Sequence, residues 1–502
     1  MVGGAPMTAR CVMVLGTTSG AGKSLLATAL CRWYARQGLK VVPFKAQNMS
    51  NNARVVEGGE IGSAQYFQAL AARTPPEVRM NPLLLKPESD THSQVILLGQ
   101  VSRELSEMAW RSRGPAVWPA ITAALDGLRA ENDLVVIEGA GSPAEINLAD
   151  CDMVNMRIAD HADARCLLVT DIDRGGAFAH LYGTWALLEH AQRTRIDGFV
   201  LNKFRGDASL LAPGPEMLRE LTGIATVAVL PMWREHGLPE EDGMFPASGV
   251  FPPAPAGAGR GESTRTGRKH IAIVAYPRIS NLDEFQPLHN MPGVRLTWAR
   301  SADDLEHADW VILPGSKNTS ADLAWLRARG LARAIAQHAQ SGRAVLGICG
   351  GLQMLGEALI DHDDIDGNAP GLGLLPLVTV FERDKTVRHA RTRFSALEGP
   401  WQPLSGVAVS GYEIHHGRTS QHAGMAAGRA VMPDALAWQN EQGNVLGVYV
   451  HGLFEEPAVL RALFGAGAPT LDKVFEGLAD FVEQHFQAGV LRQLVAPGLA
   501  NS

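Results

Sequence analysis

Between an apolar run, Val12 to Leu15, and a helix-forming stretch, Leu25 to Leu30, the chain reads Gly16-Thr17-Thr18-Ser19-Gly20-Ala21-Gly22-Lys23-Ser24. A strand, a glycine-rich turn and a helix start in that order form a phosphate cradle. The glycines let backbone N–H groups converge on an anion with no Cβ in the way, Lys23 reaches the outer phosphates, and the Ser24 hydroxyl can hold Mg²⁺. The spacing, G-x5-G-K-S, is one residue longer than the usual loop. Thr17 stands where the first glycine of the shorter form would fall. Gly16, Thr17, Thr18, Gly20, Gly22, Lys23 and Ser24 are therefore the candidate nucleotide-binding residues.

From Met7 to about Met244, short apolar runs alternate with helical segments, which predicts a parallel sheet covered by helices on both faces. The expected strands are 11–15, 40–44, 134–137, 166–170, 198–201 and 226–230. Ligands of such sheets bind beyond the carboxyl ends of the strands, and polar residues gather there. After the second strand comes Lys45-Ala46-Gln47-Asn48-Met49-Ser50-Asn51-Asn52, a run too rich in amides for a core. It reads as a solvated loop, or as a substrate or phosphate contact through Lys45, Asn48 and Asn51. Glu138 ends the third strand, placed to bind metal directly or through water. Asp171, Asp173 and Arg174 follow the fourth. Arg174 suits a bidentate grip on phosphate or carboxylate, or equally an ion pair with Asp171 or Asp173. Asn202, after the fifth, could recognise a base edge.

A chain of 502 residues predicts about three domains. The divisions expected are a nucleotide-binding domain over 7–244, a flexible linker over 245–268 rich in Pro, Ala, Gly and Ser, a second alternating α/β domain over 269–457, and a helical extension over 458–502. A net charge of −7 with no lysine or arginine run argues against nucleic acid or an anionic membrane as partner. No secretory signal or long apolar span is apparent, so a cytoplasmic protein is expected. Cysteines 11, 31, 151, 166 and 349 form no C-x-x-C pair, which fits a reducing compartment. A homo-oligomer is left open.

The second chemical centre is Gly347-Ile348-Cys349-Gly350-Gly351-Leu352-Gln353. It sets a cysteine between a buried strand and a helix start. Such an elbow exposes the thiol, the helix start favours a thiolate, and the Gly350 N–H points where an oxyanion would form. A base is needed, and His451, just beyond the apolar run Leu446 to Val450, is the best placed of sixteen histidines.

GICGGLQMLG with VYVHG resembles the class I glutamine amidotransferases. The resemblance implies Cys349 as nucleophile, His451 as base, Gly350 and the Gly315 region as oxyanion donors, and Gln353 and His416 near bound glutamine. That family has a glutamate two residues after the histidine; here the position is Leu453, and Glu455 lies two residues further on. The cobyrinate-type subgroup shares this lack, which implies a Cys–His dyad without a recognised orienting partner. The first half is similar to the dethiobiotin synthetase fold group, which implies Mg²⁺ on Ser24 and Glu138, with Glu60 as a third ligand. The fold class expected is thus α/β, a P-loop dethiobiotin-synthetase-like domain followed by a class I glutamine amidotransferase domain.

With KAQNMSNNARV, TDIDRGGAFA, LNKFRGD, PGSKNT and YEIHHGRT in that order, nearly the whole chain resembles the cobyric acid synthase family of cobyrinate-type amidotransferases. The resemblance implies ATP, Mg²⁺ and glutamine, and amidation of the b, d, e and g carboxylates of adenosylcobyrinic acid a,c-diamide, with Lys45, Asn48, Asn51, Asp171 and Arg174 as candidates for corrin or phosphate contact. The rivals are a cobyrinic acid a,c-diamide synthase and a partition-type regulatory ATPase. The latter carries a signature lysine where this chain has Thr18.

Overall fold

The six apolar runs of the first half become one wholly parallel sheet. The order across it is Thr226–Pro231, Ile196–Phe204, Arg165–Asp171, Arg10–Gly16, Leu134–Glu138, Val41–Phe44. Strand Arg10–Gly16 is buried on both faces, as a central parallel strand between helical layers must be. Its neighbours end in Asp171 and Glu138, so the glycine loop leaves the sheet with a carboxylate on either side.

The computed structural model describes residues 8–88, 91–239, 268–421, 424 and 428–496, and residues 245–267 of the expected linker lie outside these. The chain divides into two compact units that do not follow it continuously. The first takes residues up to Ser50, Val56–Leu238 and the chain from Thr470; the second takes Asn51–Val55 and Pro239–Pro469.

Two features of the first unit go beyond the pattern of apolar runs. The amide-rich run after Phe44 contains a short strand, Gln47–Met49, which pairs in parallel with Leu83–Pro87 and leaves Asn48 buried. The helix Leu471–His485 returns from the far end of the chain to cover Lys23–Arg36. Phe475, Leu478, Ala479 and Val482 share a core with Leu26, Leu30 and Tyr34, a burial worth about 1.5–3 kcal/mol for each large side chain. Arg32, itself buried, meets Asp472 at 2.8 Å and Glu476 at 3.0 Å, and Tyr34 Oη donates to the Leu491 carbonyl at 2.7 Å.

The second unit is built on a sheet in the order Val294–Ala299, Lys269–Val274, Trp310–Leu313, Ala344–Ile348, Val445–Val448, Ala437–Gln439, Arg429–Ala430. Its first five strands are parallel, and each of the last two pairs antiparallel with the strand before it in that order. A long hairpin, Val378–Arg393 with Ala408–Ser420, belongs to a separate four-stranded sheet. Helix Pro457–Phe464 stays with this unit. Both units are therefore α/β, as the alternation of runs predicts. Among the described residues no helix is long and apolar enough to cross a membrane.

Candidate active sites

In the first unit the loop turns through Gly20 at φ +70° and Gly22 at φ +98°, conformations in which an L side chain is strained. A Cβ on Gly22 would lie 2.0 Å from Asn202 Nδ2, and that amide donates to the Ala21 carbonyl at 2.8 Å. Asn202 thus braces the loop. Thr17 Oγ1 donates to Thr170 Oγ1 at 2.9 Å, tying the loop to the neighbouring strand. Lys23 Nζ curls back to the carbonyls of Thr18 (3.0 Å) and Gly141 (3.2 Å).

Ser24 Oγ donates to Glu138 Oε1 at 2.8 Å. Lys45 Nζ reaches the same oxygen at 2.8 Å and Gln68 Nε2 donates to Oε2 at 2.5 Å. Burial alone would raise the pKa of Glu138, but the Lys45 charge and these hydrogen bonds hold it below the ordinary carboxylate value. A hydroxyl beside an ionised carboxylate at the foot of a phosphate loop is a donor set that suits Mg²⁺, so these residues fit the metal. Glu60 is buried with its carboxylate on Lys86 Nζ. Asn48 Oδ1 accepts from the Met49 N–H at 3.1 Å. Asp171 accepts from Lys203 Nζ at 3.2 Å and lies 3.5 Å from the exposed Arg174. Asn51 falls in the five-residue segment that belongs to the second unit.

In the second unit Cys349 sits at φ +50°, ψ −106°, between strand Ala344–Ile348 and helix Gly350–Leu355. Such strain is typical of a nucleophile elbow. The turn is tightly packed: a Cβ on Gly351 would fall 1.9 Å from the Leu313 carbonyl, and one on Gly350 2.7 Å from the Ser316 N atom. A Cβ on Gly315 would come 3.0 Å from His451 Cε1. Gly315, Gly350, Cys349 and His451 therefore converge. Gln353 Nε2 donates to the His416 carbonyl at 3.0 Å, and Thr319 Oγ1 to Gln353 Oε1 at 3.3 Å. Burial, with Lys317 and Lys385 nearby, lowers the pKa of His416 to about 4.

Sequence reasoning missed the partner of His451. Nδ1 lies 3.1 Å from Glu284 Oε1, and Glu284 Oε2 accepts the Gly452 N–H at 3.1 Å. Both side chains are buried. Burial alone would lower the His451 pKa, yet the Glu284 carboxylate and the Cys349 sulfur raise it to about 10. Glu284 comes from the turn Leu282–Phe285. The signal was there: Asp283 and Glu284 stand between two apolar residues, an arrangement that points to acids with buried partners. Glu455, the acid nearest His451 in sequence, meets Arg54 at 2.6 Å instead. A Cys–His–Glu array with oxyanion N–H groups can hydrolyse an amide through a thioester.

Two family models match the chain: a CobQ/CobB/MinD/ParA nucleotide binding domain over residues 12–241 and a CobB/CobQ-like glutamine amidotransferase domain over 270–459. Among curated proteins, the chain is similar to the cobyric acid synthase of Variovorax paradoxus strain S110, 72% identical over 98% of this chain and 100% of the relative. It is also similar to that of Polaromonas sp. strain JS666, 70% identical over 97% and 99%, and to that of Acidovorax sp. strain JS42, 68% identical over 98% and 99%.

Proposed function

The chain belongs to the cobyric acid synthase family, an enzyme family, and from that premise we propose that it amidates the b, d, e and g carboxylates of adenosylcobyrinic acid a,c-diamide. ATP and glutamine would be consumed once per amidation, in the cytoplasm. The observation that carries this reading is the presence in one chain of a phosphate loop backed by the Ser24–Glu138 pair and a strained Cys349 elbow beside a buried His451.

In the glutaminase reaction the Cys349 thiolate attacks the side-chain amide carbon of glutamine. The Gly350 N–H and the backbone at Gly315 receive the oxyanion. His451 gives its proton to the amide nitrogen, which departs as neutral ammonia, then takes one from the water that opens the thioester to glutamate. Glu284 holds the imidazole by Nδ1 and stabilises its charged form. In the synthetase reaction a corrin carboxylate oxygen attacks the γ-phosphorus of ATP, ADP leaves, and ammonia displaces phosphate from the acyl phosphate. Lys23 and the loop N–H groups stabilise charge on the transferring phosphoryl group. Ser24 and Glu138 would hold Mg²⁺, which neutralises charge on the phosphate oxygens when bound. Lys45, on the same carboxylate, supplies a cation beside that position.

Mass spectrometry of adenosylcobyrinic acid a,c-diamide after incubation with the protein, ATP, Mg²⁺ and glutamine tests the proposal. Four amidations with matching ADP and glutamate are expected. An untouched a,c-diamide, with cobyrinic acid amidated instead, would make the protein a diamide synthase. Nucleotide-dependent self-association without product would make it a regulator.

A further inference from the structure

Arg54 is buried to 1% exposure, and a guanidinium taken out of water must be offset by partners. It lies on Asn51–Val55, which the nucleotide-binding half of the sequence contributes to the second unit. Its Nε donates to Asp283 Oδ2 at 2.8 Å, Nη2 binds the same oxygen, and Nη1 meets Glu455 at 2.6 Å. The segment is also held by its backbone and amides: Ala53 N–H donates to Asn281 Oδ1 at 3.1 Å, and Leu282 N–H to Asn52 Oδ1 at 2.8 Å. Its contacts therefore fall on Asn281, Leu282 and Asp283, the three residues that lead into Glu284.

A second line runs from the same guanidinium to the histidine. Arg54 sits 5.2 Å over the Tyr412 ring, and that ring stacks on His451 at 5.4 Å and 20°. Tyr412 and His451 also exchange backbone hydrogen bonds of 3.2 and 2.9 Å. Three carboxylates gather here, Asp283 and Glu284 buried and Glu455 about a quarter exposed. Arg54 offsets Asp283 and Glu455, leaving Glu284 to face His451. Without that charge, Asp283 and Glu455 would repel Glu284 and each other, and the turn would have to relax.

We propose that Arg54 is a positioning residue for glutamine hydrolysis: it holds the Asn281–Phe285 turn so that Glu284 stays on Nδ1 of His451. The glutaminase centre then depends on a residue encoded in the synthetase half of the chain. This rests on the reading of Cys349 and His451 given above.

The test is steady-state glutamine hydrolysis by the full-length protein with ATP and corrin present, for wild type, C349A, R54M, R54K, E284Q and R54M/E284Q. R54M should lower kcat by roughly 10–100-fold, as loss of an orienting partner does, with KM for glutamine within about twofold of wild type. R54K keeps a charge but not the fork, so it should fall between R54M and wild type. R54M/E284Q should be no slower than the slower single variant, because both act through one contact. A wild-type kcat in R54M, or losses that multiply in the double variant, would overturn the inference. If R54M does not fold, R54K decides: a several-fold fall in kcat at unchanged KM supports the inference, and a wild-type kcat overturns it. Hydrolysis that survives C349A would remove the reading of the centre and the inference with it, whereas hydrolysis lost in C349A and unchanged in R54M removes the inference alone.

Discussion

Glu284 Oε1 lies 3.1 Å from Nδ1 of His451 although 167 positions separate the two residues. Where class I amidotransferases carry an acid just after the histidine this chain has Leu453, and the carboxylate on the ring is Glu284, far upstream in the same unit. In E284Q the shape is kept and the charge is lost. Glu284 raises the His451 pKa, so its removal must lower it, and the imidazolium that protonates the leaving amide nitrogen is then lost at lower pH. The alkaline limb of glutaminase kcat/KM should move acidward by about one unit or more, and kcat should fall at least about tenfold. An unmoved limb would mean that the carboxylate does not act through the ring.

Cys349→Ala should abolish glutamine-dependent amidation and leave amidation driven by added ammonium. The thiol serves only the release of ammonia in this mechanism, and the phosphate loop belongs to a different unit. The measurement is product formation with each nitrogen source. Loss of both activities in a folded variant would contradict the division of labour.

Lys23→Ala should stop amidation with either nitrogen source, because both require the same phosphoryl transfer. Glu138→Gln keeps a hydrogen-bonding side chain beside Ser24 but removes the ionised acceptor. Titration calorimetry should show ADP affinity losing most of its Mg²⁺ dependence in E138Q, by roughly tenfold or more. ADP binding that still strengthens with Mg²⁺ as in wild type would exclude Glu138 from the metal site.

Phe475→Ala should destabilise the first unit by about 3–5 kcal/mol. Phe475 is 2% exposed, in the core it shares with helix Lys23–Arg36. Urea unfolding followed by circular dichroism reads the loss. A change within about 0.5 kcal/mol, the size expected of a surface substitution, would mean the C-terminal helix is dispensable to that core.

Much of this protein is legible along the chain. Glycines at 20 and 22 with Lys23 and Ser24 announce the phosphate loop, because positive φ and a converging backbone are local demands that a local sequence must meet. The six apolar runs around it announce the sheet for a related reason: strands buried on both faces must be apolar throughout. The turn at Cys349 and the placing of His451 after an apolar strand are legible in the same way. The short strand Gln47–Met49 was not, since its amides pair with a neighbouring strand that only the fold supplies.

The sequence by itself therefore determined the two α/β units, the phosphate loop and the cysteine elbow, which depend on periodicity and on backbone geometry within a few residues. Tertiary structure alone decided that Lys45 meets Glu138, that Leu471–His485 covers Lys23–Arg36, and that Arg54 and Glu284 stand behind His451. These pairings join residues far apart in the chain. A buried charge takes its partner from whatever strand order and register bring alongside it, which no local pattern records.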